Sequence, residues 1–80
     1  MRLDKYLKVS RLIKRRTVAN EACDAGKVFV NGKPARASYD VKIDDEIVIT
    51  MGARELKARV VSVQETVAKN DAAQLYELIP

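Results

Sequence analysis

The chain has 80 residues, of which 48% are hydrophobic and 32% are charged, and its formal net charge is +4. This length predicts one domain with a core of its own, and the apolar content is atypical of a disordered chain. One cysteine and no histidine are present, which excludes an internal disulfide and removes the commonest metal ligand. Because no apolar run approaches a membrane span and no signal-peptide pattern opens the chain, we expect a cytoplasmic protein with no membrane, metal or cofactor partner.

Two short helices are predicted at the N-terminal end. The first spans about residues 2–9 and carries Asp4 in its first turn, where a carboxylate suits the helix dipole. A break is expected near residues 10–13, and a second helix then runs from residue 14 or 15 to about residue 25. Gly26 ends this helix, because glycine readily adopts the left-handed conformation that terminates many helices.

An apolar stripe runs along both predicted helices. Leu3 and Leu7 are four positions apart and share one face, and Cys23 falls on the stripe of the second helix. We therefore expect Cys23 to be a small buried side chain rather than a reactive thiol. The residues expected to be buried against the strands or between the helices are Leu3, Leu7, Leu12, Ile13, Val18 and Ala22.

The pattern changes to strand periodicity after the second helix. Residues 27–30 alternate, and the pair Asn31 and Gly32 that follows is the strongest short signal for a β-hairpin. Pro34 lacks a backbone N–H and therefore indicates an edge position for the next strand. We expect Phe29 to pack in the core, since aromatic side chains in short strands usually do.

Further short elements complete the chain. Glu46–Met51 is predicted as a strand, and residues 56–63 as its partner after a glycine turn. The apolar phase of that second strand slips after Val60, which indicates a bulge or a sharply twisted strand. Asn70 is predicted to cap a short helix, and residues 76–79 form a last strand.

The expected fold class is α+β. Two short N-terminal helices pack on a small, strongly twisted antiparallel sheet, and a short helix and strand follow at the C-terminal end. Neither N-terminal helix is long enough to persist in isolation. The sheet must therefore supply the surface on which both helices are stable.

The positive charge is concentrated in one quarter of the chain. Residues 1–20 contain seven basic residues and one acidic residue, whereas residues 21–80 contain eight basic and ten acidic residues. A local basic patch on a nearly neutral body is typical of proteins that bind polyanions, although a solvated helix face is the simpler alternative. The candidate RNA-binding residues are Arg2, Lys5, Lys8, Arg11, Lys14, Arg15 and Arg16.

The aromatic and acidic residues indicate which kind of partner, RNA, DNA, a membrane or a metal ion, the chain binds. Three tyrosines and one phenylalanine are too few for a base-stacking platform, so structured RNA recognised through its backbone is favoured. A DNA-reading second helix would turn Glu21 and Asp24 toward the DNA, which is unfavourable. The aliphatic stripe without tryptophan is a poor membrane-surface helix. The carboxylates at residues 44–46 indicate an acidic turn rather than the metal site of an enzyme, since no histidine accompanies them.

Several of these positions resemble the RNA-binding domain named after ribosomal protein S-four. The resemblance covers about residues 1–50 and implies a helix pair on a small sheet, whose arginines and lysines contact RNA. It carries over most directly to Arg2 and Arg16. The matching positions are RLDKYL at residues 2–7, then Arg16, Ala19, Gly26, Val28 and VNG at residues 30–32.

A finer resemblance is to small ribosome-associated members of this family. Arg11, Lys14 and Arg16 form the pattern R-x-x-K-x-R, and the segment DAAQLYELI is similar to the RqcP type of quality-control factor. That type implies a monomeric, non-enzymatic factor that binds large-subunit rRNA and peptidyl-tRNA near the P site. It also implies support for template-free alanine tailing by an NFACT-family partner. The alternatives are the fifteen-kilodalton heat-shock type, which recycles stalled large subunits, and a general binder of structured RNA.

Two departures from the family pattern affect local structure. Arg15 stands where the wider family often has a serine, so the second helix lacks a natural cap. Asp44 and Asp45 replace a common glycine-aspartate turn, for which we expect a modest stability cost.

We expect one RNA-binding domain over residues 1–80, with a helical corner at about 2–25 and the sheet and C-terminal extension at about 27–79.

Overall fold

The structure is a computed structural model that describes residues 1–65 and 69–80, without the side chains of residues 69, 70 and 73. The expected α+β arrangement of two short helices and an antiparallel sheet, followed by a short C-terminal helix and strand, is confirmed. None of the described helices is long and apolar enough to cross a membrane. The elements are α1 (Leu3–Val9), α2 (Arg16–Asp24), β1 (Val28–Val30), β2 (Lys33–Pro34), β3 (Glu46–Met51), β4 (Arg54–Val60), a 3-10 helix (Lys69–Leu75) and β5 (Tyr76–Leu78).

The sheet has five strands in the order β2-β1-β3-β4-β5, and all neighbours are antiparallel. Asn31 and Gly32 connect β1 to β2 with φ angles of 53° and 84°. Positive φ at both positions defines the type I′ turn that the sequence predicts, because its twist matches that of the strands. Strand β2 lies at the edge, so the missing N–H of Pro34 weakens no interior ladder, as predicted.

Strand β4 ends at Val60, and the predicted bulge follows it directly. The backbone N–H groups of Val61 and Ser62 donate to the carbonyl oxygen of Leu75, at 2.8 and 3.1 Å. Two consecutive residues thus face Leu75, in continuation of the pairing of Val60 with Tyr76, which is the arrangement of a β-bulge. Val61 is exposed, and the apolar phase slip after Val60 marks this bulge. The predicted cap at Asn70 lies inside the 3-10 helix, and its side chain is outside the described part.

The core lies between the two helices and one face of the sheet. Ala19 and Cys23 of α2 are buried, whereas Val18 is 48% exposed, so the prediction that Val18 belongs to the stripe is wrong. The helix starts at Arg16, and its rotation turns Val18 outward once Ala19 and Cys23 face the core. The contiguous core cluster consists of the buried residues Leu3, Tyr6, Leu7, Ala19, Cys23, Val28, Val30, Ala37, Val41, Ile47, Ile49, Val60 and Leu75.

Cys23 is a free, buried cysteine, as the sequence predicts. Burial, together with the nearby charges of Asp4 and Asp24, raises the pKa of its thiol to about 11. The thiol is therefore protonated at neutral pH, and a protonated thiol is a poor nucleophile.

Phe29 is half-buried and lies outside the core, contrary to the prediction. Successive side chains of a strand point to opposite faces. Val28 and Val30 occupy the face toward the helices, so Phe29 lies on the opposite face, beside its strand partners Pro34 and Val48.

Tyr6 connects α1 to the C-terminal segment. Its side chain is fully buried, and its hydroxyl donates a 2.6 Å hydrogen bond to the carbonyl oxygen of Leu75. Burial raises the pKa of this hydroxyl, and Tyr76 adds to the effect. Tyr6 therefore packs inside the fold.

Leu7→Ala should lower the free energy of unfolding by about 2–5 kcal/mol, because a fully buried leucine leaves a cavity when truncated. Urea unfolding followed by circular dichroism measures this loss. Val18→Ala on the exposed face of α2 is the matched control and should change stability by less than about 0.5 kcal/mol. A loss below that value for Leu7→Ala would contradict the position of α1 on the sheet.

Candidate nucleic-acid interface

All seven predicted RNA-binding residues lie on α1, on the loop of residues 10–15 or at the start of α2. Arg2 and Arg15 are the N-cap residues of the two helices, and Arg16 is the first residue of α2. The sequence therefore places these cations on one helical corner of the fold. We call this surface the basic corner and define it as Arg2, Lys5, Lys8, Arg11, Lys14, Arg15 and Arg16.

Arg2 and Arg16 come together at the carboxylate of Asp4. Arg2 donates from Nε to Oδ1 at 3.2 Å and from Nη2 to Oδ2 at 3.4 Å. Arg16 donates from Nε to Oδ2 at 3.4 Å. The Asp4 side chain is only 3% exposed, whereas those of Arg2 and Arg16 are 52% and 48% exposed. Since a guanidinium has five N–H donors, both arginines keep donors free on the solvent side.

The Asp4 carboxylate is held by two further donors. The backbone N–H of Lys5 donates to Oδ1 at 2.8 Å, and Asn20 donates from Nδ2 to Oδ2 at 3.2 Å. Burial alone would raise the pKa of Asp4, but the hydrogen bonds from Arg2, Asn20, Arg16 and the Lys5 amide outweigh it and lower the pKa. A buried charge needs such partners.

The sequence analysis missed this role of Asp4. It interpreted the residue only as a favourable charge in the first turn of α1. The available signal was that Asp4 is the one acidic residue among the first 20, within the RLDKYL motif. Which donors meet on that carboxylate depends on how α1 and α2 pack, and periodicity does not encode this.

Arg11 has a left-handed backbone conformation, with φ of 63°. It follows Ser10, the C-cap residue of α1, and its N–H donates to the carbonyl oxygen of Lys8 at 3.1 Å. Glycine usually occupies this position after a helix, because a Cβ atom costs roughly 1–2 kcal/mol there. The basic corner thus carries an arginine at a strained backbone position.

The remaining cations are arranged differently. Lys5 pairs with Glu65 at 3.3 Å on the surface. In residues 1–65 and 69–80, the structure gives no salt bridge to Lys8, Arg11, Lys14 or Arg15. All four are exposed, and their charge is therefore available to a partner.

Helix α2 begins without a side-chain cap. Arg15 at the N-cap is extended, with φ of −118°, and makes no side-chain cap hydrogen bond. The start lies at Arg16, one residue beyond the predicted range. Uncapped first-turn N–H groups favour an anion, and a shallow depression of about 380 Å³ beside them is lined by Asp4, Arg16, Thr17, Asn20 and Glu21.

The acidic turn at residues 44–46 forms hydrogen bonds with the protein itself. Asp45 is buried and accepts from Asn31 Nδ2 at 3.0 Å, from the Tyr39 hydroxyl at 3.0 Å and from the Lys42 N–H at 2.9 Å. Asp44 has a φ of 75°, in agreement with the expected turn strain. Among the described residues, no group of three potential ligands could hold a metal ion.

Asp4→Asn should reduce stability at pH 7 by about 1–2 kcal/mol, because one acceptor oxygen becomes an NH2 group and the remaining bonds from two half-exposed arginines lose their charge assistance. The folded-state pKa of Asp4 is lowered. Its stabilising effect is therefore complete above the unfolded-state pKa and is lost as the pH falls through the folded-state pKa. The difference from wild type should therefore shrink as the pH falls. Urea unfolding at pH 7 and pH 2 tests this, with Asp24→Asn on the exposed end of α2 as control. A difference that is independent of pH would contradict it.

Comparison with known proteins places this site in a family. Residues 1–47 match the family model described as the S4 domain. The chain is 51% identical over 79 residues to the RQC P-site tRNA stabilizing factor of Streptococcus pneumoniae, an alignment that covers 99% of this chain and 90% of the relative. It is 53% identical over 78 residues to the protein of the same name in Halalkalibacterium halodurans, covering 98% and 89% of the two chains.

A solved structure agrees with the fold. The trimeric structure of Vibrio cholerae Heat Shock Protein 15 has a TM-score of 0.90 to this chain at 31% sequence identity, and it covers 99% of this chain and 81% of that one. The family resemblance deduced from the basic corner and the VNG turn is thereby confirmed. The chain belongs to the S4 domain family and, within it, to the family of the RQC P-site tRNA stabilizing factors.

Proposed function

We propose that this chain is a non-enzymatic, cytoplasmic RNA-binding factor of ribosome-associated quality control. Its basic corner binds tRNA at the P site and rRNA of large subunits that still hold peptidyl-tRNA. The names of relatives at about 50% identity support the tRNA part of this proposal. The S4 domain match supports a binding role rather than a catalytic one.

The observation that carries the proposal is the pair of arginines on one buried carboxylate. Asp4 fixes the inner edge of the Arg2 and Arg16 guanidinium groups, so that their outer N–H donors face solvent together. Guanidinium groups match phosphate oxygens in charge and geometry. Because both side chains are already ordered, binding a phosphate backbone costs little further side-chain entropy.

The finer part of the proposal concerns what happens after binding. The factor acts as a monomer and retains the tRNA while an NFACT-family partner adds alanine residues without a template. The support for this is the likeness of the R-x-x-K-x-R pattern and of the C-terminal segment to the quality-control type.

A heat-shock-type role in recycling stalled large subunits is the second candidate. The observation in its favour is the close structural match to Vibrio cholerae Heat Shock Protein 15. In that case the chain would bind large subunits through the same basic corner, and loss of the chain would leave alanine tailing unchanged.

Arg2→Ala/Arg16→Ala should abolish co-sedimentation with large subunits from a cell lysate. Two lost charge-assisted contacts correspond to binding weaker by about 100-fold or more. Wild type should sediment with large subunits, and sequencing of its bound RNA should recover rRNA and tRNA. The matched control is Arg54→Ala/Lys57→Ala, which removes two exposed cations from β4, outside the basic corner.

Circular dichroism establishes whether the double variant is folded. The single variants Arg2→Ala and Arg16→Ala each leave one guanidinium on Asp4, and they replace the double variant if it unfolds. A folded variant that sediments like wild type would refute the role of the basic corner. Wild type that remains at the top of the gradient, or that recovers only messenger RNA, would refute the quality-control function.

Arg11→Gly should raise stability and weaken RNA binding at the same time. Glycine relieves the left-handed strain at φ 63° and should add about 0.5–1 kcal/mol, whereas loss of the cation should lower affinity for large subunits severalfold. Arg11→Lys keeps charge and strain and should resemble wild type in both measurements. Thermal unfolding and a filter-binding assay give the two readouts. Unchanged binding by Arg11→Gly would remove Arg11 from the interface.

A further inference from the structure

A groove opens between the β1–β2 hairpin and the loop that follows it. Its volume is about 620 Å³, which lies within the range of sites that hold small molecules. Its lining combines apolar and basic side chains. The residues that matter here are the apolar or aromatic Val30, Pro34 and Tyr39 and the polar Lys33, Arg36 and Ser38.

The carboxylates of the loop that follows β2 already have partners of their own. Asp40 accepts a hydrogen bond from the N-terminal ammonium at 2.8 Å, and Asp44 pairs with Arg59 at 2.7 Å. Asp45 is buried and accepts three hydrogen bonds. Residues 33–45 contain as many acidic as basic residues. The acidic side chains, however, are paired with groups other than Lys33 and Arg36.

Lys33 and Arg36 are therefore not neutralised by the loop that contains them. Both side chains are exposed, and neither has a salt-bridge partner within the described part of the chain. Arginine and lysine that flank a concave surface without a facing carboxylate are suited to a phosphate. The charge of the groove thus points to an anionic ligand.

The groove is joined to the basic corner through the backbone. The N–H of Leu3 donates to the carbonyl oxygen of Tyr39 at 2.8 Å, and the N–H of Asp4 donates to that of Ala37 at 3.2 Å. The loop that forms one wall of the groove therefore lies directly against the start of α1. An RNA held by Arg2 and Arg16 is within reach of this wall.

We propose that this groove binds one unpaired nucleotide of the RNA that occupies the basic corner. Its phosphate binds Lys33 and Arg36, and its base lies against the side chains of Tyr39 and Pro34. The base of an unpaired nucleotide is free to lie against such side chains, and sequence-specific recognition of RNA relies largely on exposed bases of this kind. The inference rests on the proposed RNA-binding function and adds a second contact to it.

An NMR titration of the full-length protein with adenosine monophosphate tests the groove directly. Amide shifts should saturate around residues 30–39, and Lys33→Ala/Arg36→Ala should weaken binding about tenfold, as expected for loss of charge-assisted contacts. Arg54→Ala/Lys57→Ala removes the same two residue types from β4 and should bind like wild type. Each amide spectrum also reports whether the variant is folded.

Two further probes separate the base from the phosphate. Ribose 5-phosphate and adenosine should each bind more weakly than adenosine monophosphate. Equal binding of ribose 5-phosphate would overturn the assignment of a nucleotide, since it would leave an anion site only. Absence of amide shifts around residues 30–39 at high concentrations of adenosine monophosphate would overturn the proposal that the groove binds a nucleotide.

A bulged RNA hairpin links the groove to the function. Wild type should prefer a hairpin with one unpaired nucleotide over the fully paired hairpin, and Lys33→Ala/Arg36→Ala should lose this preference. A retained preference would overturn the proposal. Arg2→Ala/Arg16→Ala should still bind adenosine monophosphate, so that failure of the basic corner and failure of the groove are distinguished.

Discussion

The buried carboxylate of Asp4 is the interaction on which the arrangement of the basic corner depends. A charged group that is almost fully removed from water is stable only when hydrogen-bond donors surround it. Arg2, Arg16 and Asn20 meet this requirement from both helices. The need to satisfy one anion thus fixes the relative positions of α1 and α2, and it holds two cations close together that would otherwise repel each other.

Stability and function are distributed unequally over this fold. The sheet and the inner faces of the helices supply the apolar core, while the helical corner contains a strained arginine and a helix that starts without a cap. Backbone strain of this kind persists only where the surroundings hold it in place. The core therefore holds the helical corner in a backbone conformation that its own residues would not favour in isolation.

Local sequence signals predicted most of the fold. The turn at Asn31 and Gly32 and the limits of Glu46–Met51 follow from residue types that act within a few positions. Val18 was predicted wrongly, because helix rotation depends on distant packing. For the same reason the sequence located the seven cations but not the carboxylate of Asp4 that orients two of them.

The burial of Cys23 makes the motion of the helical corner measurable. Its thiol is the only one in the sequence, and it faces the core from α2 with a raised pKa. A thiol reagent reaches it only when α2 separates from the sheet, so the labelling rate reports how often that separation occurs. Comparing this rate with and without bound ribosomal particles would show whether the partner keeps α2 packed on the sheet, without an engineered cysteine.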